Sequence, residues 1–208
     1  MTLGVYFICV FMPVSIAAAL LEVLRRPVPK WLTWTGIVSA FCVAAYTGFL
    51  LGVVSAYPLW NNAILPVLFV VSALSAGLAA TSLVGLITDR ERFEQMWLIK
   101  KSHVILSAIE MVVLATMLII VSSGSPEGAA SVASLVSGQY APMFWGGLVL
   151  LGLVAPFAIE GYPVFVTRKV ETSTTSMVVS VIGEGGVLVG GFMLRLLVIL
   201  AALPVLYL

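Results

Sequence analysis

Residues 63–88 read AILPVLFVVSALSAGLAATSLVGLIT, a run without one ionisable side chain. A helix rises about 1.5 Å per residue, so about 20 apolar residues cross the hydrocarbon core of a bilayer, and this run is longer than that. It lacks the apolar–polar alternation of a barrel strand, and backbone groups in lipid must be satisfied within the segment, which leaves the helix. Small residues recur through it at a spacing of four, as Ala73 and Gly77 and as Ser72, Ala76 and Ala80. Such faces let neighbouring backbones approach closely in lipid, so this helix is expected at the centre of a bundle.

Working outward, the same template divides the chain into six segments: approximately Leu3 to Leu24, Trp31 to Ser55, Ala63 to Thr88, Ser102 to Ser123, Met143 to Val166 and Val178 to Tyr207. Of the 208 residues, 62% are hydrophobic and 9% charged. Soluble domains carry about 25% charge, so lipid must be the main solvent here. The reading is an all-α integral membrane bundle of about six transmembrane helices, a single transmembrane domain over residues 1–208. The first apolar run starts directly after Met1 with no basic leader and no small-residue cleavage signal, which reads as a retained helix rather than a signal peptide.

Charge then orients the bundle. Arg25, Arg26 and Lys30 lie between the first two segments, Arg90, Arg92, Lys100 and Lys101 between the third and fourth, and Arg168 and Lys169 between the fifth and sixth. Nine of the ten basic residues thus fall in alternate connections. These share one side of a six-helix chain, which the positive-inside rule makes cytoplasmic. Both termini, the segment AYPLWNN and the Gly/Ser-rich stretch from Gly124 to Pro142 are expected outside. No basic tract points to nucleic acid. Cys9 and Cys42 sit in apolar runs without CxxC or CxxH spacing and read as packing residues. Pro13, Pro66 and Pro156 fall within or near the starts of helices, where each removes a backbone donor and can kink the axis.

Ionisable groups at membrane depth carry the functional signal, because each is costly unless paired or hydrated. Glu110, Glu160, Glu184 and Arg195 are in that class, whereas Glu22 lies beside a basic connection and reads as interfacial. At 1.5 Å per residue, Glu110 and Glu184 are expected roughly 10 to 15 Å deep, with Glu160 shallower and Arg195 nearer the outer face. Arg195 reads either as a structural cation paired with a carboxylate or helix carbonyls, or as part of a polar site. The three glutamates are candidates for a proton path, since a carboxyl group in a low-dielectric bundle can accept and release protons where few other groups can. His103, the single histidine, stands near Lys101 at a predicted cytoplasmic helix start and reads as an interfacial residue. One imidazole makes a poor haem anchor between helices, and no metal-ligand spacing stands out.

On the outer side, Tyr46 falls in the outer half of the second helix, and Trp60 and Asn61 in the short outer connection. A phenol, an indole N–H and an amide are the donors that a quinone headgroup requires at the edge of an apolar bundle. Tyr and Trp also gather at membrane interfaces for purely physical reasons, so an aromatic belt is the competing reading.

The runs AAYTGFLLG, PLWNNAILPVLFVVSALSAGLA, FWGGLVLLGLVAPFAIE and VLVGGFMLRLLVILA, in that order, resemble the NrfD/polysulfide reductase membrane-subunit family from about Trp31 to Ala202. The resemblance implies a helical anchor without haem or metal in the bacterial or archaeal cytoplasmic membrane. It implies exchange of electrons between the quinone pool, menaquinone or ubiquinone, and an iron-sulfur subunit attached to a molybdopterin-type catalytic subunit. Family members seat the headgroup near the iron-sulfur partner, which makes Tyr46, Trp60 and Asn61 the expected pocket, with Arg195 close by or bracing the bundle. They commonly have eight or more helices, so a helix pair is expected to be missing from the amino-terminal end. Two other readings stand beside this one: a purely structural anchor whose partner holds the quinone, and a small secondary transporter, for which the expected internal repeat is not visible. On its own the chain would have no redox centre and no activity.

Overall fold

The computed structural model describes residues 2–88, 97–162, 165 and 174–203. These form α1 (Thr2–Val23), α2 (Lys30–Gly52), α3 (Ile64–Thr88), α4 (Trp97–Gly124), the short α5 (Pro126–Val136), a π-helical segment (Met143–Val154) that runs on into α6 (Ala155–Tyr162), and α7 (Thr174–Leu200). Six helical stretches are long and apolar enough to cross a membrane, the number expected from hydropathy. The chain is a multi-pass membrane protein. The basic residues Arg90, Arg92, Arg168 and Lys169 lie outside the described residues.

Local chemistry sets the helix ends. At the end of α1, Arg26 N–H donates to Leu21 O and Arg25 N–H to Glu22 O, each at 2.9 Å. This is a Schellman closure, with Arg25 in the left-handed region at φ 53° and Pro27 following to stop the helix. Asn62 Oδ1 accepts the N–H of Ile64 at 2.9 Å and opens α3. In the Gly/Ser-rich stretch, Ser125 Oγ accepts from Gly128 N–H at 3.0 Å, Pro126 sits at the first helical position and Glu127 in the first turn, which together start α5.

Packing separates the helices into a core and a flank. Half of the α7 span is buried, against 33% of the α3 span and 11% and 6% of the α2 and α1 spans. Thus α7 is the enclosed helix, while α3 joins the α1–α2 pair to the core by packing on both α2 and α7. The small faces of α3 also differ from expectation. Gly77 is exposed with open space around it, and the buried positions are Ser72, Ser75, Ala79 and Ser82. Their alternating three- and four-residue steps follow the seam of a left-handed helix pair, which a strict spacing of four drifts away from.

A tight crossing lies between Gly152 in the π-helical segment and Gly190 in α7, where a Cβ on either would collide with the backbone of the other. Pro156 stands just past the π–α junction, fully buried. Having no N–H, it leaves the carbonyl of Leu151, five residues back, without its π-type donor, and that carbonyl faces Gly186 of α7. The apolar end of the core gathers Leu59, Leu65, Leu68, Phe69, Leu114, Met117, Leu135, Phe144, Leu194 and Leu197. Here α5 covers the bundle: Leu135 enters this cluster, Leu203 N–H donates to Ser131 Oγ at 3.1 Å, and Trp145 Nε1–H donates to Val136 O at 2.9 Å.

Gly152→Val and Gly190→Val should each destabilise the bundle by about 1–3 kcal/mol or more, because a helix crossing cannot move aside as a flexible side chain can. Gly77→Ala should be neutral or slightly stabilising, by up to about 1 kcal/mol. Unfolding in detergent by added SDS, followed by circular dichroism, measures both, and equal effects would contradict the packing described.

Candidate functional site

On α4 the buried stripe runs Lys100, His103, Ser107, Glu110, Leu114, Met117 and Val121, at steps of three and four. Its first half is polar and its second half apolar. The facing helices repeat the division: α3 buries Ser82, Ser75 and Ser72 and then Phe69, Leu68 and Leu65, and α7 buries Ser180 and Glu184 and then Val187, Leu194 and Leu197. The three helices therefore enclose a polar column at one end of the bundle and the apolar cluster at the other.

At the heart of the column His103 is fully buried, where an interfacial position was expected. The reason is that α4 begins at Trp97, a full turn before the predicted start at Ser102, which carries Lys100 and His103 into the bundle. His103 Nδ1 lies 2.9 Å from Glu160 Oε2 and 3.1 Å from Glu184 Oε2. Both glutamates are buried, at 1% and 0% exposure, and both meet the same nitrogen, so Glu160 lies level with Glu184 rather than shallower. The contacts are close but off-axis. His103 Nδ1 and Nε2, Glu160 Oε1 and both Glu184 carboxylate oxygens make no aligned hydrogen bond among the described residues.

Lys100, expected in a connection, is 2% exposed and donates from Nζ to Ser180 Oγ at 2.8 Å. It interacts electrostatically with both Glu160 and Glu184. Two turns beyond His103 along α4, Glu110 is buried beside Ser72 and Ser75 and feels the charges of His103 and Arg195. Arg195 folds back along α7 to donate from Nη1 to Gly191 O at 2.8 Å, with its guanidinium carbon 5.6 Å from the centre of the Phe69 ring. It marks the boundary between the polar column and the apolar cluster.

The structure thus brings Glu110, Glu160 and Glu184 into one column and adds His103 and Lys100, which sequence reading had left at the surface. The signal for both was present in the three–four spacing that continues from Lys100 into Leu114 and Met117. One ligand atom each from His103, Glu160 and Glu184 lie within 4.8 Å of one another, a grouping that the spacing along the sequence does not show.

The outer candidates are dispersed. The ring of Tyr46 packs directly over Gly4 of α1. Trp60 donates its indole N–H to Val198 O at 2.8 Å, with its ring 4.3 Å from that of Tyr57, so its donor is already engaged. Asn61 is exposed and lines an open cleft of about 350 Å³ with Ser55, Pro58, Asn62, Ile120, Val121 and Ser125. Tyr46, Trp60 and Arg195 do not line this cleft.

The sequence matches the family described as Polysulphide reductase, NrfD over residues 4–206. It is 30% identical to protein NrfD of Escherichia coli over 86% of this sequence and 54% of that one. It is 28% identical to the NrfD homolog of Haemophilus influenzae over 79% of this sequence and 50% of that one. A polypeptide of the polysulfide reductase of Wolinella succinogenes is 33% identical to it over 59% of this sequence and 40% of that one. The protein spans about half the length of the curated relatives it matches. No solved structure matches it.

Removing the imidazole from between two buried carboxylates leaves like charges facing each other. His103→Leu should therefore destabilise the bundle by about 3 kcal/mol, and Glu160→Gln added to it should restore part of that loss. Additive losses in a double-mutant cycle, read by SDS unfolding, would show that the two side chains do not interact.

Proposed function

Because the chain belongs to the NrfD family of polysulphide reductase proteins, we propose that it is the quinone-interacting membrane subunit of a respiratory oxidoreductase complex in the cytoplasmic membrane of a bacterium or archaeon. Its partner would be an iron-sulfur subunit, and through it a molybdopterin-type catalytic subunit. Oxidation of a quinol releases two electrons and two protons, and reduction of a quinone takes up the same number of each. The electrons are exchanged with the partner, and this chain binds and orients the quinone and carries the protons.

The observation that most supports the proton part is the buried column of Lys100, His103, Glu160, Glu184 and Glu110. Carboxylates and an imidazole without aligned hydrogen-bond partners among the described residues, so far from the surface, are groups that internal water serves, and together they make a route for protons. Loaded from the Lys100 end, the route would run past His103 to Glu110 and end where Arg195 meets the apolar cluster.

For the headgroup, Asn61 is the favoured residue among Tyr46, Trp60, Asn61 and Arg195, because it lines a cleft large enough for a quinone ring with apolar walls from Ile120 and Val121. Trp60, tied to Val198, would then brace the connection that presents Asn61. Arg195 would act at the inner end of the proton route.

In the purified complex reconstituted in liposomes, Glu184→Gln and Glu110→Gln should each slow proton-coupled quinone turnover by at least about tenfold, since neither amide can accept the transferred proton. Proton uptake left unchanged in both would sink the proton route. Asn61→Ala should raise the KM for quinone several-fold, about the loss of one neutral hydrogen bond, with little change in kcat. An unaltered KM would remove Asn61 from the site.

A further inference from the structure

His103, Glu160 and Glu184 have the composition and spacing of a divalent-metal site. Nitrogen and carboxylate ligands at about 2.0–2.2 Å from zinc stand about 3 to 3.6 Å apart. The contacts of 2.9 and 3.1 Å at His103 Nδ1 would need to open only slightly to admit an ion. A second observation points to a ligand as well: both Glu184 oxygens, Glu160 Oε1 and both His103 nitrogens are buried with no aligned hydrogen bond among the described residues. Such atoms have coordination capacity that the surrounding protein leaves unused.

Lys100 opposes a metal. It sits one turn before His103 on α4, is held by Ser180 at 2.8 Å, and acts electrostatically on both glutamates. A cation tethered to the helix therefore already occupies the field that would attract a free dication. Among the described residues of the cluster, with all four groups ionised, Lys100 and His103 balance Glu160 and Glu184, and a dication adds further positive charge to a low-dielectric site.

We propose that His103, Glu160 and Glu184 form a latent divalent-cation site that Lys100 keeps closed, so that Lys100 sets the selectivity of the cluster for protons over metal ions. The proton half of this statement rests on the proton-route reading; the metal half is measured without turnover. Selectivity here comes from a built-in charge rather than from cavity size, since the ligands themselves suit both ions.

The test is equilibrium dialysis of the purified complex against ⁶⁵Zn²⁺, for the wild type, Lys100→Met and Lys100→Gln, each with and without His103→Gln. The expected result is one His103-dependent zinc per chain in the Lys100 variants, bound at least about a hundredfold more tightly than in the wild type. Lys100→Gln keeps a polar partner for Ser180 and decides the matter where Lys100→Met fails to fold. Zinc bound equally well by the wild type, or no His103-dependent zinc in either lysine variant, overturns the proposal. Proton uptake by Glu184→Gln is read separately, so a failed proton route and an absent metal site give different results.

Discussion

The bilayer supplies no water to a buried charge, and that single constraint organises this bundle. Among the described residues, Glu160 and Glu184 at zero to 1% exposure are offset by His103, which stands between them, and by the charge of Lys100 one turn earlier on α4. Four ionisable groups from three helices must therefore arrive together. This fixes the register of α4 against α6 and α7 more strictly than apolar packing would, because a slip of one residue would place a charge against lipid.

Apolar packing takes over where the charges end. Leu114, Met117, Leu194, Leu197 and Phe69 interdigitate, and α5 covers them from the far end. The close approach of Gly152 and Gly190 draws the π-helical segment onto α7. It thereby sets where α6 starts and where Glu160 points. The wide helix, the proline at its end and the paired glycines act together as one positioning device for that carboxylate.

Helix number and most boundaries were legible in the sequence because they depend on run length alone. The burial of Glu110, Glu160 and Glu184 was legible as well, since an acid within an apolar run has few alternatives. His103 and Lys100 were misplaced because charge density was taken to mark a connection, while Lys100 instead continues the buried stripe of α4 inward. The small face of α3 was misassigned for a related reason: spacing of four fits one turn, but the seam alternates three and four. The scatter of Tyr46, Trp60 and Asn61 over three different neighbours depends on side-chain direction, which neighbours in sequence do not reveal. Helix α5 was missed: the stretch from Gly124 to Pro142 was read only as Gly/Ser-rich, although Ser125, Pro126 and Glu127 carry a helix-start signal.

The division of the core has an electrical meaning. A column of carboxylates, imidazole, ammonium and hydroxyls is highly polarisable, whereas the leucine and phenylalanine layer beneath α5 is not. A voltage across the membrane therefore drops mainly over that layer, in the way it concentrates across the less polarisable of two dielectrics in series. Each elementary charge moved through the whole potential is worth about 2.3 kcal/mol per 100 mV. A charge travelling only from Lys100 to Glu110 would feel a small part of it, and Arg195, at the edge of the insulating layer, stands where the field is steepest.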